Sequence, residues 1–140
     1  MDFARIPPLA LLDSAQLIEL TAREHDWIFL FSGGVCVVAE ASHWRLIDDN
    51  RVVITDEDHG EVFGLKEPVD AAKLVLEKLA ATSVSRIELS PVSDLVLSFS
   101  NGLTLQFQVG SVGYENWHVY GPDQTHTFAV GGGELCRMVT

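Results

Sequence analysis

Long apolar runs, basic residues and cysteines are all scarce in this chain of 140 residues. No stretch approaches the roughly 20 apolar residues that span a bilayer. The opening MDFARIPPLALLDS has an acidic second residue, a proline pair and only a short apolar stretch. It therefore lacks the basic region and long apolar core of a secretion signal. The two cysteines, Cys36 and Cys136, sit in apolar strand-like runs and are expected as buried thiols rather than a bridge, which fits a reducing compartment. A soluble, cytoplasmic protein is expected.

Catalytic signatures are missing as well. No Ser, His and Asp set stands in a nucleophile-elbow context. The triple glycine Gly131 to Gly133 lacks the Gly-Lys-Ser/Thr ending of a phosphate loop, and no helix follows it, so a tight turn leading into a last strand is expected. Asp56, Asp58 and His59 lack the spacing of a calcium loop and fall short of a zinc set. The expectation is a protein that is not an enzyme, with no catalytic residue, no metal ligand set and no cofactor.

What is plentiful is acid. Twenty Asp and Glu against nine Lys and Arg leave a net charge of −11. Residues 1–70 hold 14 of those acids and only 5 bases. Asp48-Asp49, Asp56-Glu57-Asp58 and Glu61 are the densest groups. Such a field repels nucleic acid and attracts basic partners, although a solvated face that keeps the protein soluble has the same composition.

The chain also resembles itself. FSGGVCVVA at 31–39 matches FSNGLTLQF at 99–107 with a spacing of 68 residues, which places Asp26 on Asp94, Phe29 on Leu97 and Gly34 on Gly102. Ile18-Glu19-Leu20 matches Ile87-Glu88-Leu89 at a spacing of 69, and Trp44 matches Trp117 at 73. AQLIELTAREHD alone could pass for an amphipathic helix, but its counterpart SVSRIELSPVSD, with Ser90-Pro91 and β-branched residues, favours a strand. Gly33-Gly34 and Asn101-Gly102 suit two-residue primed hairpin turns.

One domain spanning 1–140 with an internal duplication is therefore expected. Its class is α+β, mostly antiparallel β: two tandem β-meander repeats at about 16–63 and 85–139, joined by one helix at about 68–81. Pro68 suits the first turn of that helix and Asp70 its dipole. In the first repeat Trp27, Phe29 and Phe31 alternate with Ile28 and Leu30, so both faces are apolar and something must cover the second. The helix stripe Ala71, Leu74, Val75 and Leu79 is expected to pack on Ile28, Leu30, Cys36 and Val38. The matched tryptophans are expected in the core.

Where the repeats differ, function can have been added. The second copy holds five extra residues within VGSVGYENW, which can project Tyr114 and Glu115 on a loop. A tyrosine there suits a binding contact, and equally a lid folded on the sheet.

The segments DHGEVFGLKEPVDAAKLVLEKL, DLVLSFSNGLTLQF, GYENWHVYGPD and GGGEL resemble those of an uncharacterised family of small bacterial proteins, over about residues 56–135. Its members resemble immunity proteins of polymorphic and contact-dependent toxin systems. The resemblance implies a non-enzymatic module that binds and neutralises a cognate, basic toxin domain in the cytoplasm. The partner-binding residues expected under it are Asp48, Asp49, Asp56, Glu57, Asp58, Glu61, Tyr114 and Glu115. Two other classes stay open: a small-ligand-binding β domain with a pocket lined by Tyr114 and Trp117, and a structural module that forms a homodimer through a sheet edge.

Overall fold

The structure, a computed structural model, describes residues 2–140. Its strands are β1 (Leu17–Ala22), β2 (Trp27–Phe31), β3 (Cys36–Ala39), β4 (His43–Asp48), β5 (Arg51–Thr55), β6 (Val84–Leu89), β7 (Leu95–Phe99), β8 (Leu103–Gln108), β9 (Trp117–Tyr120), β10 (Thr125–Ala129) and β11 (Leu135–Val139). One helix, α1 (Ala71–Lys78), lies between β5 and β6. All pairings are antiparallel and form two sheets, ordered β1-β2-β3-β9-β10-β11 and β5-β4-β8-β7-β6.

Each half of the chain contributes to both sheets. The first three strands of one half pair with the later strands of the other, through β3 on β9 and β8 on β4. The halves correspond in detail. A bulge falls between Leu17 and Glu19 on β1, and another between Val84 and Arg86 on β6. The Ser32 N–H donates to Gln16 O while its hydroxyl accepts from the Gln16 N–H, and Ser100 and Ser83 repeat the exchange. Two copies of one five-strand unit would account for ten of the eleven strands, leaving β11 at an edge, and each copy divides between the sheets after its third strand instead of forming a continuous meander.

Three local expectations need correction. The pairing sets Leu20 opposite Phe29 and Ile87 opposite Leu97, so β1 and β6 correspond at a spacing of 67 rather than 69. A two-residue slip keeps each side chain on its own face, which is why the Ile-Glu-Leu match misleads. Nor are the hairpin turns two-residue primed turns. Ser32-Gly33-Gly34 and Ser100-Asn101-Gly102 are three-residue loops, and among Asn101 and Gly102 only the glycine has positive φ.

The third correction concerns the helix, which runs Ala71–Lys78 instead of about 68–81, so Pro68 lies before its cap and outside its first turn. Asp70 caps it by accepting the Lys73 N–H at 3.1 Å, and Ala81, with φ 58°, lies in the turn beyond its end. It does not lie on Ile28, Leu30, Cys36 and Val38. Its contacts are to β1 and β5, the edges of the two sheets, so it closes one open side of the sandwich. Ala71, Val75 and Leu79 thereby join the core of Phe29, Phe31, Leu97 and Phe107. Burying Val75 and Leu79 there contributes about 1.5–3 kcal/mol each before entropy is counted. Leu9 and Leu12 complete the same core from a short 3-10 turn beside β6.

Trp44 and Trp117 are both fully buried, but only Trp117 has a partner for its indole N–H, the carbonyl of Ser93 at 2.9 Å. Trp117→Phe should therefore cost about 1–2 kcal/mol more stability than Trp44→Phe, which removes an unsatisfied donor. Paired urea unfolding curves read the difference, and equal losses would refute it.

Candidate functional site

Residues directly opposite each other in an antiparallel sheet share a face. On the outer face of the six-stranded sheet, one row runs Thr21, Ile28, Val38, His118, Phe128 and Cys136. The next runs Glu19, Leu30, Cys36, Tyr120, His126 and Met138. Val38 and Cys36 are buried, and Ile28, Leu30, His118, Tyr120, His126 and Phe128 are half-buried; none joins the main core cluster, and none of the principal contacts between described elements covers them. The corresponding face of the other sheet is mixed: one row runs Thr55, Arg45, Gln106, Val96 and Glu88, and the next Val52, Ile47, Thr104, Ser98 and Arg86. Of the two outer faces, that of the six-stranded sheet is the more apolar.

The same face continues past the strand ends into charge. Arg23 grips both carboxylate oxygens of Asp26 in a fork, and its backbone N–H donates to Asp26 O at 2.8 Å. That hydrogen bond holds the Asp26 carboxyl below its ordinary range. Glu40 follows β3, and the strand pairing carries on beyond it, with Glu40 N–H to Asn116 O at 2.9 Å and Ala41 N–H to Glu115 O at 3.2 Å. Glu40 thus stands opposite Asn116 and Ala41 opposite Glu115, and the Glu40 and Glu115 carboxyls come within hydrogen-bonding reach of each other. Burial and the hydrogen bond to Glu115 raise the Glu40 pKa above its usual value.

Tyr114, 76 % exposed, stands beside this pair and borders an open hollow of about 630 Å³ with His25, Asp26, Glu40 and Glu115. It is held by a rigid loop. The buried Asn116 side chain accepts the Gly110 and Ser111 N–H groups at 2.8 and 2.9 Å and donates to the carbonyls of Ser111, Tyr114 and Val130. Gly131 lies beneath, so close that an added Cβ would fall 2.1 Å from Val112 O. The triple glycine is therefore a seat for this loop as well as the turn before β11.

A second hollow shares His25, Asp26 and Glu40 and reaches His43 and Asp56. His43 Nδ1 and Asp56 Oδ2 are 2.8 Å apart, with Glu57 3.6 Å from the same nitrogen. The Asp56 hydrogen bond raises the His43 pKa. His118, in the apolar rows, is shifted the other way, by burial and then by His126. The two histidines should act oppositely on stability. His118 takes its proton less readily folded than unfolded, so acidification below the ordinary value of 6.5 costs stability. His43 holds its proton more readily folded, so it contributes stability below 6.5 that is lost as pH rises through its folded pKa. Thermal melts at about pH 5 and pH 7.5 should show a smaller acid loss in His118→Gln than in the parent and a larger one in His43→Gln. Parallel shifts in all three would refute the assignment.

Of the eight residues expected from sequence, the structure brings Asp56, Glu57, Tyr114 and Glu115 to this end of the sandwich. Asp48 and Asp49 lie at the far tip of the β4–β5 hairpin, about 17 Å away along β4, where Asp49 lines a groove with Arg45 and Arg51. Asp49 is a turn residue with φ 56°. Asp58 is an internal cap that accepts the Thr55 N–H at 2.9 Å, and Glu61 lies in the exposed segment leading to α1. Sequence reasoning missed Asp26 and Glu40. Glu40 is an isolated acid in its segment and Asp26 stands two residues from Glu24, and only the pairing of β3 with β9, across the two halves, sets Glu40 beside Glu115.

Trp117 is fully buried while Tyr114 stands in solvent, so the two do not line one pocket. Asp56, Asp58 and His59 separate into different tasks, His59 Nδ1 accepting the Ala71 N–H at 3.0 Å at the start of α1. Among the described residues no helix is long and apolar enough to cross a membrane. Comparison with protein-family profiles, curated proteins and solved structures gave no match to the chain.

Proposed function

We propose that this protein is a non-enzymatic binding module that docks another protein on the outer face of its six-stranded sheet. The observation that carries this is the continuity of that face: Ile28, Leu30, Val38 and Phe128 without a covering element, running into Asp26, Glu40 and Glu115 and flanked by Tyr114. An apolar centre gives affinity, while a charged rim chooses the partner and speeds encounter. The partner that fits has an apolar patch bordered by basic residues. With the resemblance to toxin-immunity proteins, that partner is a basic toxin domain, neutralised in the cytoplasm.

Charge weighs against two other kinds of partner. At −11 the chain repels nucleic acid, and two copies pressed face to face would bring acidic rims together. The test is capture of partners from the native lysate on the tagged protein at low and high salt, followed by titration of the identified partner with purified wild type and Tyr114→Ala. A basic protein whose binding weakens with salt and with loss of Tyr114 supports the proposal. A partner indifferent to both refutes the rim, and a homodimer in solution through this face refutes the partner.

A further inference from the structure

Two imidazoles meet in the middle of the outer face. His118 is on β9 and His126 on β10, diagonal neighbours in the two rows, and His118 Nε2 lies 3.0 Å from His126 Nδ1. Their rings are held by aromatic neighbours: Tyr120 and Phe128 stand with centroids 5.5 and 5.4 Å from His118, and Tyr120 lies 6.2 Å from His126. The pair shares one N–H···N hydrogen bond. The same separation has a second use. Two nitrogens bound to one ion at roughly 2.0–2.1 Å lie about 2.9 Å apart at a right angle and about 3.4 Å apart at the tetrahedral angle. A spacing of 3.0 Å falls inside that interval.

We propose that His118 Nε2 and His126 Nδ1 form a two-imidazole site for a divalent transition-metal ion such as Zn2+ or Ni2+. Imidazole selects these ions over Mg2+ and Ca2+, which prefer oxygen. Among the described residues no three His, Cys, Asp or Glu side chains converge on a metal position. The site therefore offers two ligands, leaves the other positions to water, and is open on the solvent side of the sheet. Binding breaks the N–H···N bond. When both rings are neutral, the proton between them moves to the far nitrogen of the ring that carried it, with no net proton release.

The inference stands apart from the protein-docking proposal and is tested without a partner. Zn2+ is titrated into the full chain by calorimetry, with the imidazole nitrogens followed by 15N NMR. One ion per chain is expected, with His118 Nε2 and His126 Nδ1 shifting together and the other histidines unmoved. Loss of an outer-shell partner alone costs a metal site roughly 10- to 100-fold in affinity. His118→Gln and His126→Gln, each removing one of only two ligands, should weaken binding at least about tenfold, while His25→Gln should not. Absence of heat and of shifts up to about millimolar Zn2+ overturns the site. So does binding that leaves those two nitrogens unshifted in the wild type, which decides the question even where a glutamine variant folds poorly.

Discussion

Asn116→Ala should lose about 2–4 kcal/mol of stability and release the loop that carries Tyr114. The side chain joins three segments: Gly110 and Ser111 donate to its oxygen, and its amide reaches the carbonyls of Ser111, Tyr114 and Val130. Alanine satisfies none of them and leaves polar groups beside the core without partners. A domain of this size is stable by about 5–15 kcal/mol, so the variant keeps its fold with a much smaller margin. Urea unfolding gives the loss, and hydrogen exchange at Gly110 and Ser111 should accelerate with it. Unchanged exchange at those amides would mean that Gly131 and the Ser111 hydroxyl hold the loop unaided.

Phe128→Glu should abolish partner binding, by about 100-fold or more, while changing stability by about 1 kcal/mol or less. Phe128 lies in the outer row opposite His118 and Cys136, half-buried and outside the main core cluster, so a carboxylate there can turn to water in the free protein. In a complex the same carboxylate would be desolvated against an apolar patch without a counter-charge. Asp48→Asn with Asp49→Asn is the contrast. These residues are at the opposite end of β4, and their removal should alter association no more than the change in net charge requires. Surface plasmon resonance on the captured partner separates the two. Equal binding by Phe128→Glu and wild type would remove this face from the interface.

The limits of legibility in the sequence have physical causes. Strand β1 is recoverable despite its helix-forming residues because its counterpart in the second half cannot be helical, with Pro91 after it. The buried tryptophans follow from the same correspondence. Side-chain parity survives a slip of two residues, so the faces of β1 and β6 were readable while their register was not. The site was half visible. Asp48 and Asp56 lie close in sequence yet at opposite ends of one hairpin, because an extended arm carries the chain about 3.4 Å per residue. Glu40 and Glu115 are distant in sequence and adjacent in space, because pairing between the halves has no local signal. The helix position was missed for an energetic reason: sealing an open side of the core removes more apolar surface from water than covering a face whose side chains already shield one another.

The crossing of each half between the two sheets has a kinetic consequence. Because β3 pairs with β9 and β4 with β8, neither half encloses a core alone, and a chain synthesised only through α1 has its first three strands without the strands that flank them. The ordering entropy of the first half is offset only once residues 84–129 have emerged and closed loops of some sixty residues or more. Until then the apolar strand β3 presents an open edge during translation, the interval in which a chaperone, or another unfinished copy, would find it.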